Sequence, residues 1–149
     1  MKTVTLTFRI NINTDQQKVF EYVTEWEKQS DWIMFTTVKE LSESTTDKDI
    51  NLLAITKFGP LNLIDTMVVT ELKPFERIVV EHTGRVVLGK GVFSIHRLSD
   101  KKCEFVWQEI TPVPFGIIGQ VSVVVLGPII RLPFQYSLRK LKTNIEALK

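Results

Sequence analysis

Between residues 36 and 111, short segments of apolar pattern alternate with polar turns, and this pattern constrains the fold more than any other feature. Six segments are predicted strands: Thr36–Leu41, Ile50–Lys57, Leu61–Leu72, Arg77–Thr83, Gly91–Leu98 and Cys103–Thr111. The breaks between them hold turn residues, such as Phe-Gly-Pro at 58–60 and Ser-Asp-Lys-Lys at 99–102. Because short connections join antiparallel neighbours, the segments predict a meander.

A seventh strand is predicted at the start of the chain, where every second residue from Val4 to Ile12 is apolar. Residues 14–17 then read as a capping box, in which Thr14 is the N-cap and Gln17 reaches back. Val19, Phe20 and Val23 share one face of the helix that follows. Two short helices are therefore expected between the first and second strands.

The last part of the chain changes period, which predicts a long amphipathic helix. Its apolar residues recur at spacings of four and three: Ile130, Phe134, Leu138, Leu141, Ile145 and Leu148. Pro133 should lie in the first turns or mark a kink, because it lacks a backbone donor. Residues 117–126 either continue this helix or are irregular. The three valines at 123–125 favour a strand, but no partner strand is left for one.

Length and charge exclude several classes of protein. The 149 residues fit one domain spanning positions 1–149. A net charge of +2 is too small to indicate the basic surface that nucleic-acid binding usually requires. Cys103 is the one cysteine, so no disulfide can form within the chain. Neither histidine has a partner at metal-ligand spacing, so neither a metal nor a cofactor is expected. The polar–apolar alternation at the N-terminus does not resemble a signal peptide, which makes a cytoplasmic protein the expectation.

Residues 110–130 contain no charged side chain, and this length could span a bilayer. The segment also holds three prolines and three glycines, which would release backbone groups that lipid cannot satisfy. We therefore expect a buried or cavity-lining segment here and no transmembrane helix.

The order of elements and several short motifs carry a resemblance to a known family. The motifs are TDQQKVFEYV at 14–23, DWI at 31–33, ELKPFERI at 71–78, FVWQE at 105–109 and PVPFG at 112–116. Together they resemble the START-related helix-grip (SRPBCC) superfamily, and within it the polyketide cyclase/dehydrase branch. The resemblance covers nearly the whole chain. It implies an α+β fold in which a curved antiparallel sheet of about seven strands wraps around the C-terminal helix.

Such a fold encloses a space where an apolar ligand can bind. The candidate ligand-binding residues are Trp32, Phe35, Met67, Phe93, Phe105, Trp107, Phe115, Phe134 and Tyr136. The same side chains would also fill an ordinary core, so the sequence leaves both interpretations open. For Tyr136, packing with its hydroxyl bound to water is favoured over a position at the edge of the cavity.

Two carboxylates are weak candidates for catalysis. Asp65 and Glu109 share strand parity with apolar neighbours, which predicts that both reach the concave face of the sheet. A carboxylate there would have a raised pKa and could transfer protons. Alternatively, each is solvated at a strand end or pairs with Arg9, Arg77 or Arg131. His96 is predicted on the convex face. His82 lies at a strand end, and no catalytic partner is indicated by spacing.

The first functional hypothesis is a binding protein for a hydrophobic small molecule, such as a lipid, a quinone or a polycyclic aromatic compound. The alternative is an enzyme of cyclase/dehydratase type that folds a polyketide-like chain and uses Asp65 or Glu109 for proton transfer. A third possibility is a module that holds an apolar segment of a protein partner. The basic run at 139–142 is predicted to be a solvated helix face, with weak contact to an acidic membrane surface as the alternative.

Overall fold

The computed structural model describes residues 3–41, 50–112 and 116–148, and for residues 116–126 it describes the main chain alone. The elements in chain order are β1 (Thr3–Ile12), α1 (Gln16–Thr24), a 3₁₀ helix (Trp26–Asp31), β2 (Thr36–Glu40), β3 (Asn51–Phe58), β4 (Leu61–Lys73), β5 (Arg77–His82), β6 (Lys90–Ser99), β7 (Lys102–Pro112) and α2 (Gly116–Glu146). The seven predicted strands and the two short helices are all present.

The seven strands form one antiparallel curved sheet in the order β1-β7-β6-β5-β4-β3-β2. Strands β2 to β7 pair with their neighbours in sequence, which confirms the predicted meander. Strand β1 returns to pair with β7, so that Phe8 lies opposite Trp107. The alternation of side chains along each strand sends one set to the concave face, where α2 covers the sheet.

Helix α1 begins one residue later than the capping box predicts. The N-cap is Asp15, whose Oδ1 accepts a hydrogen bond from the Lys18 backbone N–H at 2.9 Å. Thr14 as the cap was therefore wrong. Gln17 donates to Glu21 and does not reach back. Both Thr and Asp are strong N-cap residues, so composition alone does not choose between adjacent positions.

Helix α2 is longer than the sequence pattern predicts. It runs from Gly116 to Glu146, so residues 117–126 are an earlier part of the same helix and the strand suggested by the three valines is absent. The strand preference of valine is a weak guide, because tertiary context can outweigh it. Pro128 and Pro133 both lie inside the helix, so the expectation that Pro133 lies in its first turns was wrong.

The apolar residues of the predicted helix pattern do not all pack against the sheet. Leu138, Leu141 and Ile145 are buried as predicted, whereas Ile130 within α2 and Leu148 beyond its end are exposed. The buried side chain of Ser137 joins α2 to the segment before β2. Its Oγ donates to the Pro133 carbonyl at 2.7 Å and accepts from the Met34 N–H at 2.9 Å. Among the described residues, no helix is both long enough and apolar enough to cross a membrane.

Candidate ligand cavity

A cavity of about 440 Å³ lies between the concave face of the sheet and α2. Its floor includes Leu52, Ile78 and Val80, and its roof includes Pro133 and Phe134. This volume falls within the range of small-molecule sites, which are mostly apolar with a few polar groups. The folded sheet and helix therefore leave room for a ligand, as the predicted fold implied.

The cavity opens between three segments that line it and are also exposed to solvent. Phe58 at the end of β3, Leu88 in the loop between β5 and β6, and Ile130 on α2 are each at least 40% exposed. Large apolar side chains grouped at an opening are typical of ligand-binding grooves.

Four of the nine residues predicted to bind a ligand line the cavity: Met67, Phe93, Trp107 and Phe134. The ring of Phe134 stacks on Phe8 with centroids 4.4 Å apart, and it meets Trp107 edge-on at 4.7 Å. These contacts fix the roof of the cavity against its wall. Ligand contact by the four residues remains a prediction.

The other predicted residues lie elsewhere, and Phe115 lies outside the described residues. Trp32 and Phe105 are buried in the core, where they pack edge-on with centroids 6.3 Å apart, and they are not among the residues that line the cavity. Phe35 is exposed in a turn with a φ of 58°, so its side chain leaves the core. Tyr136 is half exposed, because two helical residues beyond Phe134 correspond to about 200° of rotation.

The ionisable side chains at the cavity wall, among the described residues, are Asp65, His82 and Glu109, and the structure brings all three into contact. Nδ1 of His82 lies 2.9 and 3.0 Å from the two carboxylate oxygens of Asp65. Its Nε2 lies 3.2 Å from Oε2 of Glu109. The indole N–H of Trp107 donates to Oε1 of the same carboxylate at 2.7 Å. We call these four residues the histidine cluster.

Sheet register explains how residues far apart in sequence meet. Met67 on β4 lies opposite His82 on β5. Asp65 is two residues before Met67 on β4, so its side chain lies on the same face of the sheet. Glu109 lies two strands away on β7, opposite Gly91 on β6. A Cβ at position 91 would lie 3.1 Å from Oε1 of Glu109. Because Gly91 has no side chain, Glu109 can extend across β6 and reach His82.

A second glycine holds the end of β5. The His82 backbone N–H donates to the Gly89 carbonyl at 2.9 Å, so Gly89 fixes the residue that carries the imidazole. Gly89 has a φ of +95°, and a Cβ there would lie 2.0 Å from the Ile110 carbonyl oxygen. Both its dihedral angle and its close approach to β7 therefore require glycine.

The cluster controls the charge of its histidine. Burial alone would lower the pKa of His82, whose side chain is 5% exposed. The hydrogen bonds to Asp65 and Glu109 and their negative charges outweigh burial, and they raise this pKa to about 9. At neutral pH His82 is therefore an imidazolium, and both of its N–H groups donate to carboxylates.

Sequence reasoning placed Asp65 and Glu109 on the concave face but missed their partner. Within the part of the chain that the structure describes, neither carboxylate forms an ion pair with an arginine: Arg9 binds Glu104, Arg77 binds Glu71, and Arg131 lies over the Phe8 ring. The missed residue, His82, shares strand parity with apolar Val80 and Ile78, and that signal was present in the sequence. His96, which was predicted on the convex face, is exposed.

Comparison with solved structures finds the same fold at low sequence identity. The Zhui aromatase/cyclase from Streptomyces sp. R1128 matches with a TM-score of 0.80 and 11% identity, over 97% of this chain and 94% of that one. A START superfamily protein from Mycobacterium smegmatis matches with a TM-score of 0.77 and 11% identity, over 97% and 99% of the two chains. The di-domain ARO/CYC BexL from the BE-7585A biosynthetic pathway matches with a TM-score of 0.72 and 14% identity, over 99% of this chain and 51% of that one.

No family model matches the sequence, and no curated protein matches it. The protein has the START-related helix-grip fold, in the form shared with polyketide cyclase-like proteins, as the sequence motifs predicted. At these identities the likeness establishes the fold, and function has to be argued from the site itself.

Proposed function

We propose that the whole chain serves as one ligand-binding domain, and that it holds a hydrophobic small molecule in the cavity between sheet and helix. The observation that carries the proposal is the cavity of about 440 Å³, with apolar side chains on both floor and roof. Lipids, quinones and polycyclic aromatic compounds are the ligand classes that such a wall accommodates. Removing their apolar surface from water drives binding at about 25 cal/mol per Å².

The polar groups at the wall support this interpretation because most of them already have partners within the protein. Thr36 and Thr56 bond to each other at 2.8 Å, and the Ser137 hydroxyl bonds to α2. Gln29 donates to the Val23 carbonyl at 2.8 Å. A ligand at these positions meets few unsatisfied groups, so an apolar body can lie there without leaving a buried donor unpaired.

The test is direct binding of polycyclic aromatic and quinone probes, measured by the quenching of tryptophan fluorescence, which reports Trp26 and Trp107 at the wall. We expect saturable binding that Phe134→Ala weakens at least tenfold, since this ring forms part of the roof. Gln135→Ala is the matched control, because Gln135 is exposed on the same helix. Failure of every apolar class to bind, or equal loss in both variants, would contradict the proposal.

The histidine cluster favours a second candidate, an enzyme of cyclase/dehydratase type. An aldol-type ring closure removes a proton from the attacking carbon and delivers one to the carbonyl oxygen that becomes a hydroxyl. Asp65 or Glu109 would take the first proton, and the His82 imidazolium, through its carboxylate partner, would supply the second. An apolar wall would add positioning and exclusion of water.

The enzyme candidate is tested with a polyketide-like chain and two conservative variants. Turnover should fall at least a hundredfold in Asp65→Asn or Glu109→Gln, because proton transfer by a positioned group typically contributes 10²–10⁴-fold. Glu81→Gln is the control, because Glu81 lies next to His82 on β5 and is exposed. Intact turnover in both cluster variants would remove this candidate and leave the binding proposal standing.

A further inference from the structure

We infer that the histidine cluster selects an apolar ligand whose polar group is a hydroxyl, an alcohol or a phenol, and rejects the matching carboxylate. This inference rests on the proposed function, because it names the class of ligand that the same cavity takes. It follows from counting the donors, the acceptors and the charges that the cluster leaves for a ligand.

The donors of the cluster are already used. The two imidazolium N–H groups point at Asp65 and at Glu109, and the indole N–H of Trp107 is bound to Glu109 at 2.7 Å. A carboxylate can accept about four hydrogen bonds, so both acidic residues keep unused acceptor positions. A ligand that reaches this part of the wall therefore meets acceptors, which a hydroxyl group can satisfy by donating.

The charge of the cluster points the same way. Two carboxylates around one imidazolium leave an excess of one negative charge, and no lysine or arginine lines the cavity among the described residues. The side chains of Asp65 and Glu109 are only 13% and 21% exposed, so water screens this charge poorly. A ligand carboxylate would add a like charge where nothing at the described wall compensates it.

An ammonium group fits less well than a hydroxyl. The excess negative charge would attract it, but it would have to lose its water in an apolar cavity and would also face the His82 imidazolium. It also carries three N–H donors that need partners, whereas an alcohol or phenol carries one. The loss of water and the unpaired donors therefore favour a neutral donor over a cation.

The experiment compares four probes with the same aromatic body: 2-naphthol, 2-naphthoate, 2-methylnaphthalene and 2-naphthylmethylamine. Dissociation constants are measured by titration at pH 7 on the full-length protein. We expect 2-naphthol to bind at least tenfold more tightly than 2-methylnaphthalene and at least a hundredfold more tightly than 2-naphthoate. Equal binding of naphthol and naphthoate, or tightest binding of the amine, would overturn the inference.

Glu109→Gln removes the excess charge while keeping the size of the side chain. In this variant the preference for naphthol over naphthoate should fall below tenfold, while a circular dichroism spectrum that matches the parent shows that the fold is intact. Glu81→Gln removes one charge from an exposed position on β5 and should keep the hundredfold preference. The inference is wrong if Glu109→Gln also keeps the hundredfold preference for naphthol over naphthoate.

Different results would contradict ligand binding in the cavity and selection of the ligand by the cluster. If methylnaphthalene, naphthol, naphthoate and the amine all fail to bind, the proposed function fails. If methylnaphthalene binds as tightly as naphthol, the cavity holds apolar molecules as proposed, but the cluster does not select among them.

Discussion

The interior of this protein has a filled region and an open region, and helix α2 contributes to both. Near its C-terminal end, Leu138, Leu141 and Ile145 are buried in a continuous core. Near its middle, Pro133 and Phe134 form the roof of the cavity, and Ile129, Ile130 and Leu132 remain exposed. Helix α2 therefore packs in the core near its C-terminal end and covers the cavity near its middle.

The polar chemistry also differs between the two regions. In the filled region, α2 and β1 are joined by peripheral contacts, such as the hydrogen bond from the Lys142 side chain to the Asn11 backbone carbonyl at 2.8 Å. In the open region, three ionisable side chains form hydrogen bonds with one another at the cavity wall. The following experiments test how far stability depends on the filled region and ligand binding on the open one.

The largest expected effect belongs to the filled region. Leu141 is fully buried, so Leu141→Ala should lower the free energy of unfolding by about 2–5 kcal/mol through lost burial and the space left behind. Chemical denaturation measures this loss. Affinity for an apolar probe, measured where the variant is folded, should stay within threefold of the parent. A loss of stability below about 1 kcal/mol would show that this region is not tightly packed.

The next effect belongs to the open region and depends on pH. His82 has its pKa raised from an ordinary 6.5 to about 9, because folding places it between two carboxylates. The folded protein therefore holds this proton more tightly than the unfolded chain does. The resulting stabilisation is complete below pH 6.5 and is lost as the pH rises through about 9.

The expected loss from this one group is on the order of 3 kcal/mol between pH 6.5 and 9. Measuring unfolding by urea across this range should show the decline in the parent protein and in Leu141→Ala. In His82→Gln, the decline should largely disappear. A variant that keeps the full decline would assign the pH dependence to another group.

A smaller effect is expected where the two regions meet. Phe134 is partly buried and stacks on Phe8, so Phe134→Ala should destabilise the apo protein by about 1–2 kcal/mol. Its effect on binding of an apolar probe should be larger than its effect on stability. Measuring unfolding with and without the probe separates the two. If Phe134→Ala costs as much as Leu141→Ala without the probe, the roof belongs to the core.

The smallest effect is expected on the outer face of the same helix segment. Leu132 is 62% exposed and is not part of the cavity wall, so Leu132→Ser should change stability by less than about 0.5 kcal/mol. Thermal unfolding and probe binding should both match the parent. A loss of affinity in this variant would mean that the opening of the cavity extends further along α2 than Ile130.

The sequence predicted the strands well because a period of two is a local property that each segment carries by itself. It predicted the inward positions of Asp65 and Glu109 for the same reason. It missed His82 as their partner because contacts across 17 and 27 residues depend on sheet register, which no local pattern specifies. The predictions for Phe35 and Tyr136 have a different weakness: they were made from aromatic character, which does not tell which way a side chain points from a turn or a helix.

Gly91 offers a practical way to recognise other chains that carry this cluster. The carboxylate crosses β6 at a position where the strand carries no side chain. In a helix-grip chain with an aspartate, a histidine and a glutamate at equivalent positions, an alanine at the position of Gly91 would require the glutamate to shift by a few tenths of an ångström, and a larger residue would take up more of the space that the carboxylate crosses. A glycine in the crossing strand is therefore a sequence criterion that favours assembly of the site.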